Sequence, residues 1–484
     1  MIRASSVGIH PGRRPASLGL AATLAGTVAA GVPTAVTAAA VGRSDAWAGL
    51  ATTPLASDQT ITQNVLLIAY DPLFPDKGNQ PLHAVYGWQD PVTLTDGVVS
   101  DLEQASHGVV HYNIVKTEVL NEFPRLTDGF VYTESTWEHD YANWSTRYQG
   151  ARFDWQWFID SNNILAQIDS GAIDEVWLYQ DPLDEDRAYE STMAGPGAYW
   201  LNSPPVPGTN GSKAFVIMSW NYQRGVAEAI HSYGHRVENT MCRMYNTCGN
   251  PTAVNNWNAF TAIDKTSPGK GAVGNVHYPV NGVSDYDYDN QHYVLSDADA
   301  WLNYPDLSAP PQMINATAWS PSGVDPQREY LDWWYAHLPH AAGRNADGLL
   351  NDWWQYIIKV DQYKNGDPAR VVPSLSSGIA ASVVRTGGSF TTTSLVVPRG
   401  TYVTVLFRAP QGMFPAGTPV RIWIMTRASE TSGQLWYPLT TRLLGSDGTA
   451  RFYRQIDGWI AIRGHIASTS GSAWSLSRIA TART

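Results

Sequence analysis

The sequence predicts an α/β fold, a sheet with flanking helices that carries the functional site, followed by a C-terminal all-β sandwich. Short apolar runs at 64–70, 173–179 and 213–219 read as strands, and the first two end in Asp-Pro pairs (Asp71-Pro72, Asp181-Pro182) that stop the extension. Helical periodicity near 95–106 and 153–169 falls between them, and alternation of strand and helix is the pattern of an α/β layer. Past residue 379 the pattern changes to short β runs at 380–385, 394–397, 402–407, 420–425, 449–453 and 459–463, separated by turn residues at sandwich spacing.

Residues 1–40 read as a secretory signal peptide. Arg3, Arg13 and Arg14, with no acid among them, precede an Ala-, Leu-, Val- and Gly-rich stretch, and Thr37-Ala38-Ala39-Ala40 offers small residues for cleavage. Pro33 and several threonines interrupt that stretch, so a permanent membrane anchor is not expected, and no later stretch is long and apolar enough to span a bilayer. A linker at 41–62 then leads into the α/β domain at 63–365, a Gly-, Pro- and Ser-bearing linker at 366–378, and the sandwich at 379–484. Within the α/β domain, 327–337 and 349–360 are amphipathic and joined by a short turn, which predicts an antiparallel helical hairpin with Trp333, Trp334, Trp353 and Trp354 in its core.

The chain has 484 residues, 43% of them hydrophobic, which is room for two or three domains with proper cores. Its formal charge of −11 becomes about −14 once the three leader arginines are gone, and Lys and Arg form no long basic run, so a nucleic-acid partner is not expected. Cys242 and Cys248 are the only cysteines; in an oxidising compartment they are expected to close a small disulfide loop. Export and a disulfide are mutually consistent.

The chemistry concentrates in one run, Asn221 to Cys242. Glu228, His231, His235 and Glu238 are spaced by three, four and three, so at about 100° per residue one helix stacks them within an arc of roughly 80°. Val226, Ile230, Tyr233, Val237 and Met241 form the apolar stripe of the same helix. Two histidines four apart can share one divalent cation, and a carboxylate one turn on can serve as a third ligand. Gly234 and Gly225 lie in a predicted helix interior, where glycine costs up to about 1 kcal/mol relative to Ala, so a bulky group is expected to pass close by.

His231-Ser-Tyr-Gly-His235 resembles the active-site helix of the zincin metallopeptidases, whose pattern is His-Glu-x-x-His, often with Gly before the second His as at Gly234. The resemblance covers about 20 residues. It implies zinc, with His231 and His235 as ligands and metal-assisted hydrolysis as the activity. Ser232 stands where the zincins place the glutamate that acts as general base, and Ser has no pKa suited to that role. Glu228 is the replacement candidate for the base.

A third ligand is expected from Glu238 or from His277, which sits in the Gly- and Pro-punctuated loop 274–282; His292 is the reserve. The run Asp285-Tyr-Asp-Tyr-Asp-Asn290 matches the first, third and fifth ligand positions of a calcium loop but has Asn290 and Ser296 where that loop needs Gly and Glu, so Ca2+ there is a secondary expectation. A second Glu-x-x-His, a Gly-x-Ser-x-Gly elbow and a phosphate-binding glycine loop are all absent from the sequence, which argues against di-iron, serine-hydrolase and nucleotide chemistry. Three functions remain open: an exported zinc hydrolase acting on extracellular peptide, a polysaccharide-directed protein using Glu228, Glu238 and Asp285 to Asp289 beside aromatic rings, and a binding protein whose metal is structural.

Overall fold

The structure, a computed structural model, describes residues 60–484 except 186, 250–254, 306, 308, 345–347, 371–379, 386–393, 410–413, 415, 427–436, 467–474, 477–479 and 484. The expected signal peptide, nearly all of the first linker and most of the second lie outside the described residues. Five strands form the first sheet: β1 (Ile61–Tyr70), β2 (Val110–Leu120), β3 (Glu175–Gln180), β4 (Ser191–Ala194) and β5 (Phe215–Asn221), in the order β2-β1-β3-β5-β4. All neighbours are parallel except β4, which runs antiparallel to β5 along one edge.

The central strands are apolar without interruption because both their faces are covered. Val65, Leu67 and Ala69 of β1 join one core with Trp177, Val216 and Met218, while Leu66, Ile68 and Tyr70 join another with Val176, Leu178 and Ile217. This is the two-residue alternation of a strand expressed on two buried faces. The first face is covered by α1 (Pro91–Ala105), α2 (Val226–Met244) and α3 (Pro326–Ala336). Phe158, Ile159, Ile164 and Ile168 cover the second.

Two strands carry no clear signal in the sequence. β2 is an edge strand whose residues past Tyr112 are largely exposed, so its apolar content is low. β4 has only four residues. The helical stretch predicted over 153–169 is two helices, Trp155–Ser161 and Ile164–Ser170, broken where Asn163 takes a left-handed conformation (φ 50°) that Asn tolerates better than most residues.

The predicted helical hairpin is corrected. Past α3, Pro339 ends any continuation, and His340–Arg344 pairs antiparallel with Leu350–Asp352 before a short α4 (Trp354–Ile358) begins. Asp352 fixes that late start, because its carboxylate accepts from the Trp354 amide at 3.1 Å and from Gln355 Nε2 at 3.0 Å. Trp333, Trp334, Trp353 and Trp354 are buried, as core residues rather than a sugar-stacking surface.

The C-terminal part follows as strands β6 (Ala380–Arg385), β7 (Ser394–Val396), β8 (Thr401–Arg408), β9 (Pro419–Thr426), β10 (Tyr437–Leu443), β11 (Thr449–Ile456), β12 (Ile460–Ile466), β13 (Ser475–Leu476) and β14 (Ala480–Arg483). They form two sheets, β6-β8-β11 and β7-β14-β12-β9-β10 with β13 beside β12, antiparallel except for the β7–β14 pair. Val403, Val405, Phe407 and Phe452 from one sheet share a core with Ile422, Ile424, Ile460 and Ile462 from the other. That shared core is the sandwich. Leu295 of the α/β part is buried against Trp423, Met425 and Ala461, so the two parts touch through a small apolar patch.

Candidate metal centre

Helix α2 follows β5 through a tight turn and enters at Gly225, whose φ of 88° is unfavourable for other residues. Its stripe of Ile230, Tyr233, Val237 and Met241 is fully buried, which sets the opposite stripe on the side of the helix away from that core. The helix is held in rotation by Arg236, itself fully buried. Its guanidinium donates to both oxygens of the buried Glu175 carboxylate on β3 at 3.1 and 2.9 Å, and to the Ile357 carbonyl at 3.1 Å. The Cys242–Cys248 disulfide is formed at the end of this helix.

The loop bearing His277 is tied to α3. Trp334 Nε1 donates to the Gly274 carbonyl at 2.9 Å, and the Tyr330 hydroxyl lies 3.0–3.2 Å from the carbonyls of Val273, Asn275 and Tyr278. Asn275 Oδ1 accepts from the amides of His277 and Tyr278, closing the turn that aims the imidazole. The loop also presses on α2. A Cβ at Gly234 would stand 2.5 Å from Val276 Cγ2 and 3.1 Å from the Tyr335 hydroxyl. Gly234→Ala is therefore expected to lower stability by about 1–3 kcal/mol and to weaken metal binding by displacing Val276, the neighbour of His277. Thermal melting and competition with a chromogenic chelator measure both; an unchanged melting point would show that the contact relaxes freely.

His231, His235 and His277 come together as a group that could hold a metal ion, with one nitrogen from each lying within 4.8 Å of the others. The ring centroids are 4.9, 5.1 and 5.1 Å apart, nearly an equilateral triangle around a common point. His235 Nε2 and His277 Nε2 face each other at 3.3 Å. Behind each ring stands a carboxylate: Glu238 Oε2 lies 3.1 Å from His235 Nδ1, and Asp285 Oδ1 lies 3.6 Å from His277 Nδ1. These carboxylates favour the tautomer with the proton on Nδ1, so in neutral rings two lone pairs point at one another. A cation between them removes that repulsion. Two nitrogens bound to one tetrahedral zinc at about 2.0–2.1 Å are themselves about 3.3–3.4 Å apart.

Electrostatics prepare the same state. Burial, then His235 and His277, pull His231 well below the ordinary imidazole pKa; burial, then His235, lower His277 too. Burial also acts to lower His235, but the hydrogen bond and charge of Glu238, with Glu190 and Glu228 beyond, leave it raised. Neutral imidazole is the ligating form. His231 is only 3% exposed and its Nδ1 has no hydrogen-bond partner among the described residues. A buried nitrogen left in this way carries a desolvation cost of about 1–3 kcal/mol unless something binds it.

Among the sequence candidates, His231, His235 and His277 are thus brought together. Glu238 lies behind His235 and also accepts from the Val276 amide at 3.2 Å, so it joins the helix to the His277 loop from outside the three-nitrogen group. Glu228 is outside the group as well, with Oε1 3.6 Å from the Arg224 guanidinium. His292 is also outside it. The calcium expectation is not supported among the described residues: Asp285 turns to His277, Asp287 accepts from the Val283 amide and from Asn290 Nδ2, and the three aspartates form no common donor group.

Sequence reasoning overlooked three contributors. Asp285 was visible only as part of an acidic, aromatic run. Tyr286, next to it, has φ 60° and stacks at 5.3 Å on His231 and 5.0 Å from His277, and burial with the charges of Glu228 and Glu190 pushes its pKa up to about 12. Glu190, immediately before β4, had no motif or periodicity to announce it. No protein-family model matches this chain, and no curated protein matches it either.

Proposed function

We propose that this chain is an exported zinc-dependent hydrolase that cleaves extracellular peptide. The observation that carries the reading is the pair of Nε2 atoms facing each other at 3.3 Å, each ring backed by a carboxylate, with His231 completing the triangle. Three imidazoles are a zinc donor set that leaves a fourth position open, and carboxylates behind the histidines orient them and raise their basicity. His231, His235 and His277 would hold the zinc, which would supply Lewis acidity and lower the pKa of water at the site. Position 232 holds a buried serine, so the proton acceptor for hydrolysis has to be a carboxylate elsewhere, Glu228 being the candidate on the helix itself.

Export is supported by the leader-like first 40 residues and by the disulfide. Among the described residues no helix is long and apolar enough to cross a membrane. The polysaccharide reading is weaker, because the tryptophan pairs are buried and Glu238 is engaged by His235 and Val276.

Elemental analysis of the purified exported protein is expected to give one zinc per chain. Hydrolysis of dye-labelled casein should stop with 1,10-phenanthroline and return with added zinc. Zinc without turnover would leave a structural metal, and no zinc at all would end the proposal.

A further inference from the structure

Two of the three histidines have a polar support behind the ring and the third has none. Glu238 stands behind His235 and Asp285 behind His277, each at Nδ1. His231 is the most buried of the three, yet its Nδ1 meets no hydrogen-bond partner among the described residues. An imidazole without such a bond is free to turn about its Cβ–Cγ bond, and a nitrogen that turns away is lost to the metal.

The group that does lie against His231 is an aromatic ring. Tyr286 is stacked on that imidazole with 5.3 Å between centroids and 25° between planes, and it also meets His277 at 5.0 Å and 35°. It reaches this place at φ 60°, a left-handed backbone that a bulky side chain rarely adopts and that needs outside support. The support is on hand. The Tyr286 amide donates to the His277 carbonyl at 2.9 Å, and the Tyr288 ring meets Tyr286 edge-on at 5.9 Å. Tyr288 is itself fixed, its hydroxyl donating to the Val276 carbonyl at 2.6 Å and its ring stacked on Tyr330 of α3 at 5.2 Å. Consecutive residues of one turn thus brace two ligands, with the acid of Asp285 on His277 and the ring of Tyr286 on His231.

We infer that Tyr286 is the positioning residue of His231, doing for that imidazole what the carboxylates do for the other two. The inference rests on the metal-binding part of the reading above. A ring face sets the plane of an imidazole without bonding to either nitrogen, so both stay available to an ion. Holding that plane before the ion arrives removes an ordering cost from binding.

The test titrates zinc against a chelator of known affinity in the purified exported protein, in Y286F, Y286N and H231A, and in the double variant H231A plus Y286N. Phe keeps the ring, while Asn removes it and tolerates the left-handed backbone, so the metal-free proteins are expected to melt together with the parent. Y286N should bind zinc at least about tenfold more weakly, and Y286F within about threefold of the parent. With His231 already removed the ring has no imidazole to hold, and adding Y286N should cost less than about threefold. Absorption of the cobalt-loaded proteins gives a second readout: the visible bands of Y286F should coincide with those of the parent, and the bands of Y286N should shift or weaken. Parental zinc affinity in Y286N would overturn the inference. So would an equal loss in Y286F, which would assign the effect to the hydroxyl, or an undiminished loss in the H231A background, which would assign it to His277 or to the fold. A parent that binds no zinc would overturn both the inference and the metal reading. Because zinc binding is the readout, casein cleavage has no bearing on it.

Discussion

Replacing His277 with alanine is expected to strip the protein of stoichiometric zinc while leaving it folded, and His231→Ala and His235→Ala should do the same. The apparent binding free energy of zinc in a protein site is about 10–16 kcal/mol at neutral pH, so losing one of three nitrogens removes on the order of 4 kcal/mol, roughly a thousandfold in affinity. His277→Ala decides the most, because that residue comes from a loop 42 positions past His235 and is recruited only by the tertiary fold. Glu238→Gln and Asp285→Asn should each weaken binding by about 10–100-fold, the usual cost of removing a carboxylate behind a ligating histidine. Glu228→Gln should leave zinc in place. Competition titrations against a chelator of known affinity measure the series. A His277→Ala protein with parental affinity would mean that the three rings do not share an ion.

Glu175→Ala is expected to destabilise the fold by about 3–5 kcal/mol, read from urea unfolding, because it leaves a guanidinium buried without its counter-charge. Arg236 and Glu175 are both fully buried, and the carboxylate also accepts from Trp177 Nε1 at 2.6 Å and Gln63 Nε2 at 3.3 Å. Glu175→Met combined with Arg236→Met should cost less than either single change, since replacing both ions removes the desolvation cost together with the attraction. The pair matters for the site because Arg236 follows His235 directly. Fixing one side chain against β3 sets the rotation of α2, and with it the direction in which the histidine stripe faces. A Glu175→Ala protein as stable as the parent would show that the apolar stripe alone sets this rotation.

Legibility in the sequence followed burial. β1, β3 and β5 were readable because strands covered on both faces are continuously apolar. β2 and β4 were not, since an edge strand needs fewer apolar residues and a four-residue strand has no period to detect. The helical hairpin failed over 340–352, where two short paired strands replace the turn and hold the second helix back to Trp354. Gly234 was read correctly as a point of close approach, and Val276 is the group that approaches.

The sequence alone determined that one helix carries two histidines a turn apart with an apolar stripe opposite, that two cysteines lie close enough to bridge, and that a β-rich region follows. These depend on neighbours within a few residues, where helical and strand periods constrain geometry directly. The tertiary structure alone decided that His277, and not Glu238, closes the triangle, and that Glu238 and Asp285 stand behind the rings. Those placements hang on Tyr330 and Trp334 holding the loop carbonyls and on Arg236 pinning the helix. Such contacts join residues tens of positions apart, and no local pattern encodes which distant partner a side chain will meet.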